Sequence, residues 1–182
     1  MRILLVGAGG VGSALCAIAA RREFFEHIVV SDYDDSRATQ ATDAVGDKRF
    51  SAAQVDAMSA DAVAELVRRH GITHVMNAVD PRFVMPIFNG ALAGGADYLD
   101  MAMSLSQRHT ERPHELTGVK LGDEQFAGED QWRTAGRLAL VGIGVEPGLS
   151  DVFARYAAEH LFREVDELAV RDGANLVVDG PE

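Results

Sequence analysis

The feature that most constrains this chain is Gly7-Ala8-Gly9-Gly10-Val11-Gly12, which fits the pattern G-x-G-x-x-G. An apolar run, Arg2-Ile3-Leu4-Leu5-Val6, precedes it, and a helix-like run from Ser13 to Arg22 follows. A second apolar run, Ile28-Val29-Val30, then leads to Asp32, twenty residues past Gly12. A glycine triplet alone says little. Strand, glycine turn, helix, strand and terminal acid in this register specify a βαβ unit shaped to receive a dinucleotide.

Each position in that unit has a physical task. Gly7 permits the tight turn out of the first strand, and Gly9 lets the backbone approach a pyrophosphate with no Cβ in the way. Gly12 allows the helix to lie close on the strand. The N-terminus of the helix that follows offers the pyrophosphate N–H groups with no internal partner and a partial positive charge. Asp32 is placed to accept hydrogen bonds from the adenosine ribose. A 2′-phosphate there would meet a second anion, a repulsion of roughly 1–4 kcal/mol at about 4 Å in a wet site. Asp32 therefore favours NAD over NADP, while nearby Arg37 works in the opposite direction and keeps NADP open.

Two other readings of the first stretch deserve weight. Residues 3–20 carry no charge and follow Arg2, so they resemble a signal peptide ending at Ala17-Ile18-Ala19, or a short membrane span. Four glycines interrupt the run, and neither reading accounts for Asp32. The nucleotide site is the stronger expectation.

With 182 residues, the chain can bury one substantial core. Seventeen basic against twenty-eight acidic residues give a net charge of −11, which disfavours nucleic acid or an anionic membrane as partner. Cys16 is the single cysteine, so no internal disulfide can form. Its place in the first helix suits a small packing residue. The composition is that of a cytoplasmic α/β protein.

Beyond Asp32 the pattern continues to alternate. A weak helix runs to Val45, and a third strand over residues 49–55 delivers Asp56 to a carboxyl strand end, where it can face the adenine. Ser59 caps a helix that buries Val63, Leu66 and Val67 and stops at Gly71. Residues 73–79 form a fourth strand ending in Asn77, Ala78 and Val79, beside the glycine turn. Those residues suit the ribose and nicotinamide half of the cofactor, although Asn77 could instead satisfy backbone groups in a turn. A helix over 82–93 turns Phe83, Val84, Ile87, Phe88, Ala91 and Leu92 inward, and a fifth strand ends in Asp100.

Alternation of this kind implies right-handed crossovers and a doubly wound parallel-sheet Rossmann fold, with strand order 3-2-1-4-5-6. From Ala102 to Gly128 the pattern loosens, as in a lid or hinge, and His109 and His114 read as exposed loop residues rather than metal ligands. One helix is expected over Gln125–Gly136 and a sixth strand over residues 138–141. Ser150 should cap a helix with the apolar stripe Val152, Phe153, Tyr156, Ala157 and Leu161. Residues 168–171 and 175–178 suggest a hairpin of a new sheet. The division is therefore residues 1–148 as the dinucleotide-binding domain and 149–182 as a linking helix plus the start of a second α/β substrate and dimerisation domain.

Four segments carry a family resemblance: Gly7 to Gly12, Asn77-Ala78-Val79-Asp80-Pro81, Tyr98-Leu99-Asp100, and Glu146-Pro147-Gly148-Leu149-Ser150-Asp151. Together they resemble the N-terminal half of the saccharopine dehydrogenase-like oxidoreductases, which include lysine dehydrogenases. The resemblance implies a Rossmann domain followed by a substrate domain that supports homodimers. It implies hydride transfer between a nicotinamide and the amine-bearing carbon of an amino acid. Matching positions are Gly7, Gly9, Gly10, Val11, Gly12 and Asp32, with Asn77, Ala78 and Val79 in the next loop. No catalytic residue stands out; Asp100 and Glu146 lie at suitable strand ends, but each could be a turn acid. A regulatory, non-catalytic Rossmann module that senses nucleotides is the alternative. A natural reading frame running on beyond Glu182 for another domain's length would favour the enzyme.

Overall fold

The computed structural model describes residues 1–171 and 173. Six parallel strands form one sheet in the order β3-β2-β1-β4-β5-β6. They are β1 (Arg2–Val6), β2 (His27–Asp32), β3 (Phe50–Gln54), β4 (His74–Asn77), β5 (Asp97–Asp100) and β6 (Ala139–Leu140). Helices α1 (Gly10–Ala19), α2 (Asp35–Val45), α3 (Ala60–His70) and α4 (Val84–Gly94) connect the first five strands. The strand order expected from the alternation is the one observed.

Continuous apolar runs make sense because the sheet is covered on both sides. Leu4, Val6, Val29 and Val75 meet Val63 and Val67 of α3 and Ile87, Phe88 and Ala91 of α4. Ile3, Leu5, Ile28 and Val30 face the other way, against Cys16 and Ala19 of α1 and Ala41 of α2. The helix ends follow local chemistry. Ser59 Oγ accepts from Ala62 N at 3.2 Å, and Gly46 and Gly71 close α2 and α3 in the left-handed region.

Several expectations are corrected. The first helix ends at Ala19, short of Arg22. The single helix over 125–136 is two short ones, α5 (Asp123–Phe126) and α6 (Glu129–Thr134), broken at Ala127-Gly128. Gly128 lies against the Phe88 ring, where a Cβ would come within 3.3 Å of Phe88 Cε1. The loose stretch after β5 is pinned rather than free: Gln107 and Val119 exchange backbone hydrogen bonds of 2.9 Å. His109 is half-buried rather than exposed, and its Nδ1 accepts from the N–H groups of Glu111 and Arg112 at 3.3 and 3.2 Å.

The last helix, α7 (Leu149–His160), is capped by Gly148, and Ser150 lies inside it with its hydroxyl on Glu146. Asp151 performs the capping task instead, accepting from Gly148 N at 3.0 Å. Leu161 falls just past the helix, and Val152, Phe153 and Tyr156 are exposed. Residues 168–171 have no regular structure, and residues 175–178 of the expected hairpin lie outside the described residues. No described helix is long and apolar enough to cross a membrane.

Candidate functional site

The glycine loop divides its four glycines into two that close it and two that leave it open. Gly7 has φ +104°, and its N–H donates to Ser31 O at 2.7 Å. A Cβ on Gly7 would lie 2.5 Å from Val79 Cγ1, and one on Gly12 only 1.9 Å from Gly7 O. Those two positions hold the turn against the fourth strand and bring α1 onto the first. At Gly9 and Gly10 a Cβ would meet nothing within 4 Å. Gly9 caps α1 with no side chain, and the first turn holds no acid. Space is therefore open beside a helix end that no side chain caps, an arrangement suited to a pyrophosphate.

Asp32 sits half-buried at the end of β2 and has two structural partners. Its Oδ2 accepts from Ala8 N at 2.9 Å and its Oδ1 from Asp34 N at 3.1 Å. A carboxylate offers about four acceptor sites, so lone pairs remain for ribose hydroxyls. The same side chain therefore braces the glycine loop from below. Arg37 lines a cavity of about 480 Å³ with Ala8, Gly9 and Ser13. Its Nε stands 3.9 Å from Asp34 Oδ2, and both side chains are exposed. The Ser36 hydroxyl and N–H, with Arg37 a smaller influence, hold the Asp34 carboxyl below its ordinary range.

Asp56 is exposed, and its Oδ1 accepts from Met58 N at 2.9 Å in a turn. It borders a cavity of about 340 Å³ with Tyr33, Gln54 and Arg69. That cavity lies at the β3 end, the side on which an adenine would rest in a doubly wound sheet.

Across the switch point, Ala78 and Val79 line a small cavity of about 110 Å³ shared with Val11, Met101 and Ala102. The Asn77 amide does not point there. It is 2% exposed, with Oδ1 accepting from Val79 N at 3.1 Å and Nδ2 donating to Tyr98 Oη at 3.0 Å. The side chain shapes the loop, and Asn77 is itself among the residues that line the cavity.

Tyr98 Oη donates in turn to Asp100 Oδ2 at 2.9 Å, which also accepts from Gln125 Nε2 at 2.7 Å. Asp100 Oδ1 accepts from Gly142 N at 2.7 Å and Met103 N at 3.3 Å. Every neighbour is a donor, matching an acceptor-only carboxylate. Burial first, and Asp100 second, raise the Tyr98 hydroxyl far above its ordinary pKa, so it remains a donor.

The segment from Gly142 to Gly148 is docked on this carboxylate. Ile143 N donates to Asp100 O at 2.9 Å, and Gly144 approaches Met101 so closely that a Cβ would lie 2.5 Å from its carbonyl oxygen. Met103, with φ +62°, is the one non-glycine residue in the left-handed region among those described. Its side chain fills the space beside Gly122 and Gly142. Glu146, by contrast, is exposed and bonded to Ser150. Among the described residues, no group of three or more His, Cys, Asp or Glu side chains could hold a metal ion.

An open helix terminus, a braced acid and a backbone-lined cavity across the switch point find a counterpart in known proteins. Residues 3–140 match the family model described as the saccharopine dehydrogenase NADP binding domain. The chain belongs to the saccharopine dehydrogenase family. It carries the NAD(P)-binding domain of these oxidoreductases. It is 29% identical over 171 residues to the carboxyaminopropylagmatine dehydrogenase of Synechocystis, covering 94% of this chain and 41% of that protein. It is 28% identical to the carboxynorspermidine synthase of Vibrio cholerae, covering 94% of this chain and 43% of that protein. The saccharopine dehydrogenase (L-Glu forming) of Saccharomyces cerevisiae shares the fold, with a TM-score of 0.65 and 16% identity. That likeness covers 88% of this chain and 31% of the yeast chain. The chain spans less than half the length of the curated relatives it matches.

The structure also joins side chains that the sequence of this saccharopine dehydrogenase-family domain does not connect. Tyr98 and Gln125 were invisible as partners of Asp100, although Tyr98 and Asp100 two apart on a strand share a face. Nothing local marks Gln125 or Met103.

Proposed function

We propose that this chain binds NAD(H) in preference to NADP(H) and forms the cofactor half of an oxidoreductase. The observation that carries the reading is the glycine loop itself. Gly9 and Gly10 leave open space above an uncapped helix end, and the Asp32 carboxylate stands beneath the same loop, bonded to Ala8 N at 2.9 Å. These residues fit a dinucleotide. Gly9, Gly10 and Val11 would hold the pyrophosphate and Asp32 the adenosine ribose. Asp56 would border the adenine, and the Ala78–Val79 backbone would border the nicotinamide ribose. The bound nicotinamide would supply hydride acceptance or donation. Among the described residues, Arg37 is the cation lining the cavity beside the loop and would favour a 2′-phosphate, and its Nε stands 3.9 Å from Asp34 Oδ2.

The substrate of the full-length protein is an amine whose nitrogen-bearing carbon exchanges hydride with the cofactor. An amino acid is one candidate. The two relatives, each named for a carboxylated amine, support widening the class to carboxylated polyamines. The exposed stripe of Val152, Phe153 and Tyr156 on α7 supports a second domain that packs there, binds the substrate and pairs two copies.

Fluorescence titration with NADH and NADPH tests the cofactor reading, with tighter binding of NADH expected and equal affinities counting against it. Reduction of NAD by the full-length protein, screened against lysine, saccharopine and carboxylated polyamines, tests the substrate class. With simple alcohols included as controls, reduction supported by those alcohols and by none of the amines would defeat it.

A further inference from the structure

The buried carboxylate at the end of β5 has an organisation that cofactor binding by the glycine loop does not require. Asp100 is 0% exposed and has four donors, which come from four places: Tyr98 on its own strand, Met103 in the following turn, Gln125 on α5 and Gly142 after β6. Through Tyr98 the chain of hydrogen bonds reaches Asn77 on the neighbouring strand, and from Asn77 the N–H of Val79. Asn77 and Asp100 are paired across the β4–β5 ladder, so this relay spans adjacent strand ends.

Every segment tethered in this way lies on one side of the switch point. Val79, Asp100, Met101 and Ala102 line the small cavity opposite Val11. None of the tethers involves Asp32, Asp56 or the closed positions Gly7 and Gly12. Asp32 braces the other half independently, through Ala8 and Asp34. The left-handed Met103 reinforces the point. A non-glycine residue in that region is costly and persists where its surroundings over-determine it. Here the Asp100 carboxylate takes its N–H, and Gly122 and Gly142 leave room for its side chain.

We infer that Asp100 is a positioning residue that builds the nicotinamide-side wall of the site, acting through Tyr98–Asn77 on the 77–79 loop and through Gly142 on the 142–148 loop. This rests on the dinucleotide reading above. Asp100 touches no cofactor atom in this scheme; its effect passes through backbone that does. Its consequence is selective: the wall for the nicotinamide half depends on Asp100, and the adenine-side contacts do not.

The test compares NADH with ADP, which carries the adenine, the ribose and two phosphates but no nicotinamide. Asp100→Asn places an amide donor among four donors. It should weaken NADH at least tenfold, abolish the enhancement of nicotinamide fluorescence on binding, and leave ADP affinity within about twofold. Tyr98→Phe keeps the ring and removes the hydroxyl that links Asp100 to Asn77, leaving the carboxylate its other three donors, so it should give a smaller loss confined to NADH even if Asp100→Asn fails to fold. Equal weakening of NADH and ADP in both variants would mean a merely structural role and overturn the inference, as would unchanged NADH binding in Tyr98→Phe. Failure of the unmutated protein to bind either ligand would instead overturn the cofactor reading, and this inference with it.

Discussion

Two glycines three positions apart, Gly9 and Gly12, should separate binding from folding. A Cβ at Gly12 would sit 1.9 Å from Gly7 O and 3.0 Å from Gly7 C. Contact between such atoms settles near roughly 3.5 Å, so one of two backbone segments must retreat by more than about 1 Å. Neither is a flexible side chain that can swing aside. The helix that would have to move buries Cys16 and Ala19 against the sheet. Overpacking of this kind costs about 1–3 kcal/mol, and two backbone partners put Gly12→Ala at the upper end of that range. Gly9 differs in both respects. Its φ of −72° is available to alanine, and nothing lies within 4 Å of the new methyl. Loss of glycine at a helix N-cap costs up to about 1 kcal/mol, offset in part by a stiffer unfolded chain. Gly9→Ala should therefore change stability by less than about 1 kcal/mol. Its methyl enters the space proposed for the pyrophosphate, so NADH binding should fall at least tenfold, about 1.4 kcal/mol. Urea denaturation followed by fluorescence measures the first quantity, because Trp132 is the sole tryptophan and is 4% exposed. NADH titration measures the second. A Gly12→Ala protein as stable as the parent would refute the packing argument, and undiminished NADH affinity in Gly9→Ala would refute the placement of the pyrophosphate.

Other outcomes follow from the same geometry. Asp32→Asn keeps an oxygen for the Ala8 N–H but removes the charge. It should raise NADPH affinity relative to NADH by roughly fivefold to several-hundredfold, corresponding to about 1–4 kcal/mol, and an unchanged ratio in paired titrations would discard the electrostatic explanation. Arg37→Ala should weaken NADPH more than NADH, and an equal effect on both would place Arg37 away from the 2′-position. Burial pushes the Cys16 thiol up to about 11. It should resist thiol reagents in the folded protein at pH 8 and react once urea unfolds the chain; rapid labelling before unfolding would contradict its burial. The folded thiol holds its proton above the pH at which the unfolded one loses it. Cys16 therefore contributes stability that is full below about pH 9 and declines as pH rises toward about 11, and Cys16→Ala should flatten that part of the stability profile.

Much of the fold was legible because its signals are local. Glycines at 7, 9 and 12, the apolar run before them and Asp32 after the second run lie within one βαβ unit, and helix stops such as Gly46 and Gly71 act on their own turn. Ser150 misled for a related reason. It has the right chemistry for an N-cap, but the glycine turn at Gly148 starts the helix two residues earlier, and Ser150 turns to Glu146. Asn77 was legible in position, and of its two readings the structure shows the turn, since its amide is claimed by Val79 N and by Tyr98.

The sequence by itself determined the order of strands and helices and the family, because apolar runs, turn residues and four short motifs are each written locally along the chain. Only the tertiary structure decided what Asp100 does. Its partners Gln125 and Gly142 stand 25 and 42 residues away, and no periodicity links them to it. A buried carboxylate must find donors wherever the fold brings them, because leaving it unpaired is costly. That requirement, met from four separate segments, turns an acid at a strand end into the tether of the wall opposite the glycine loop.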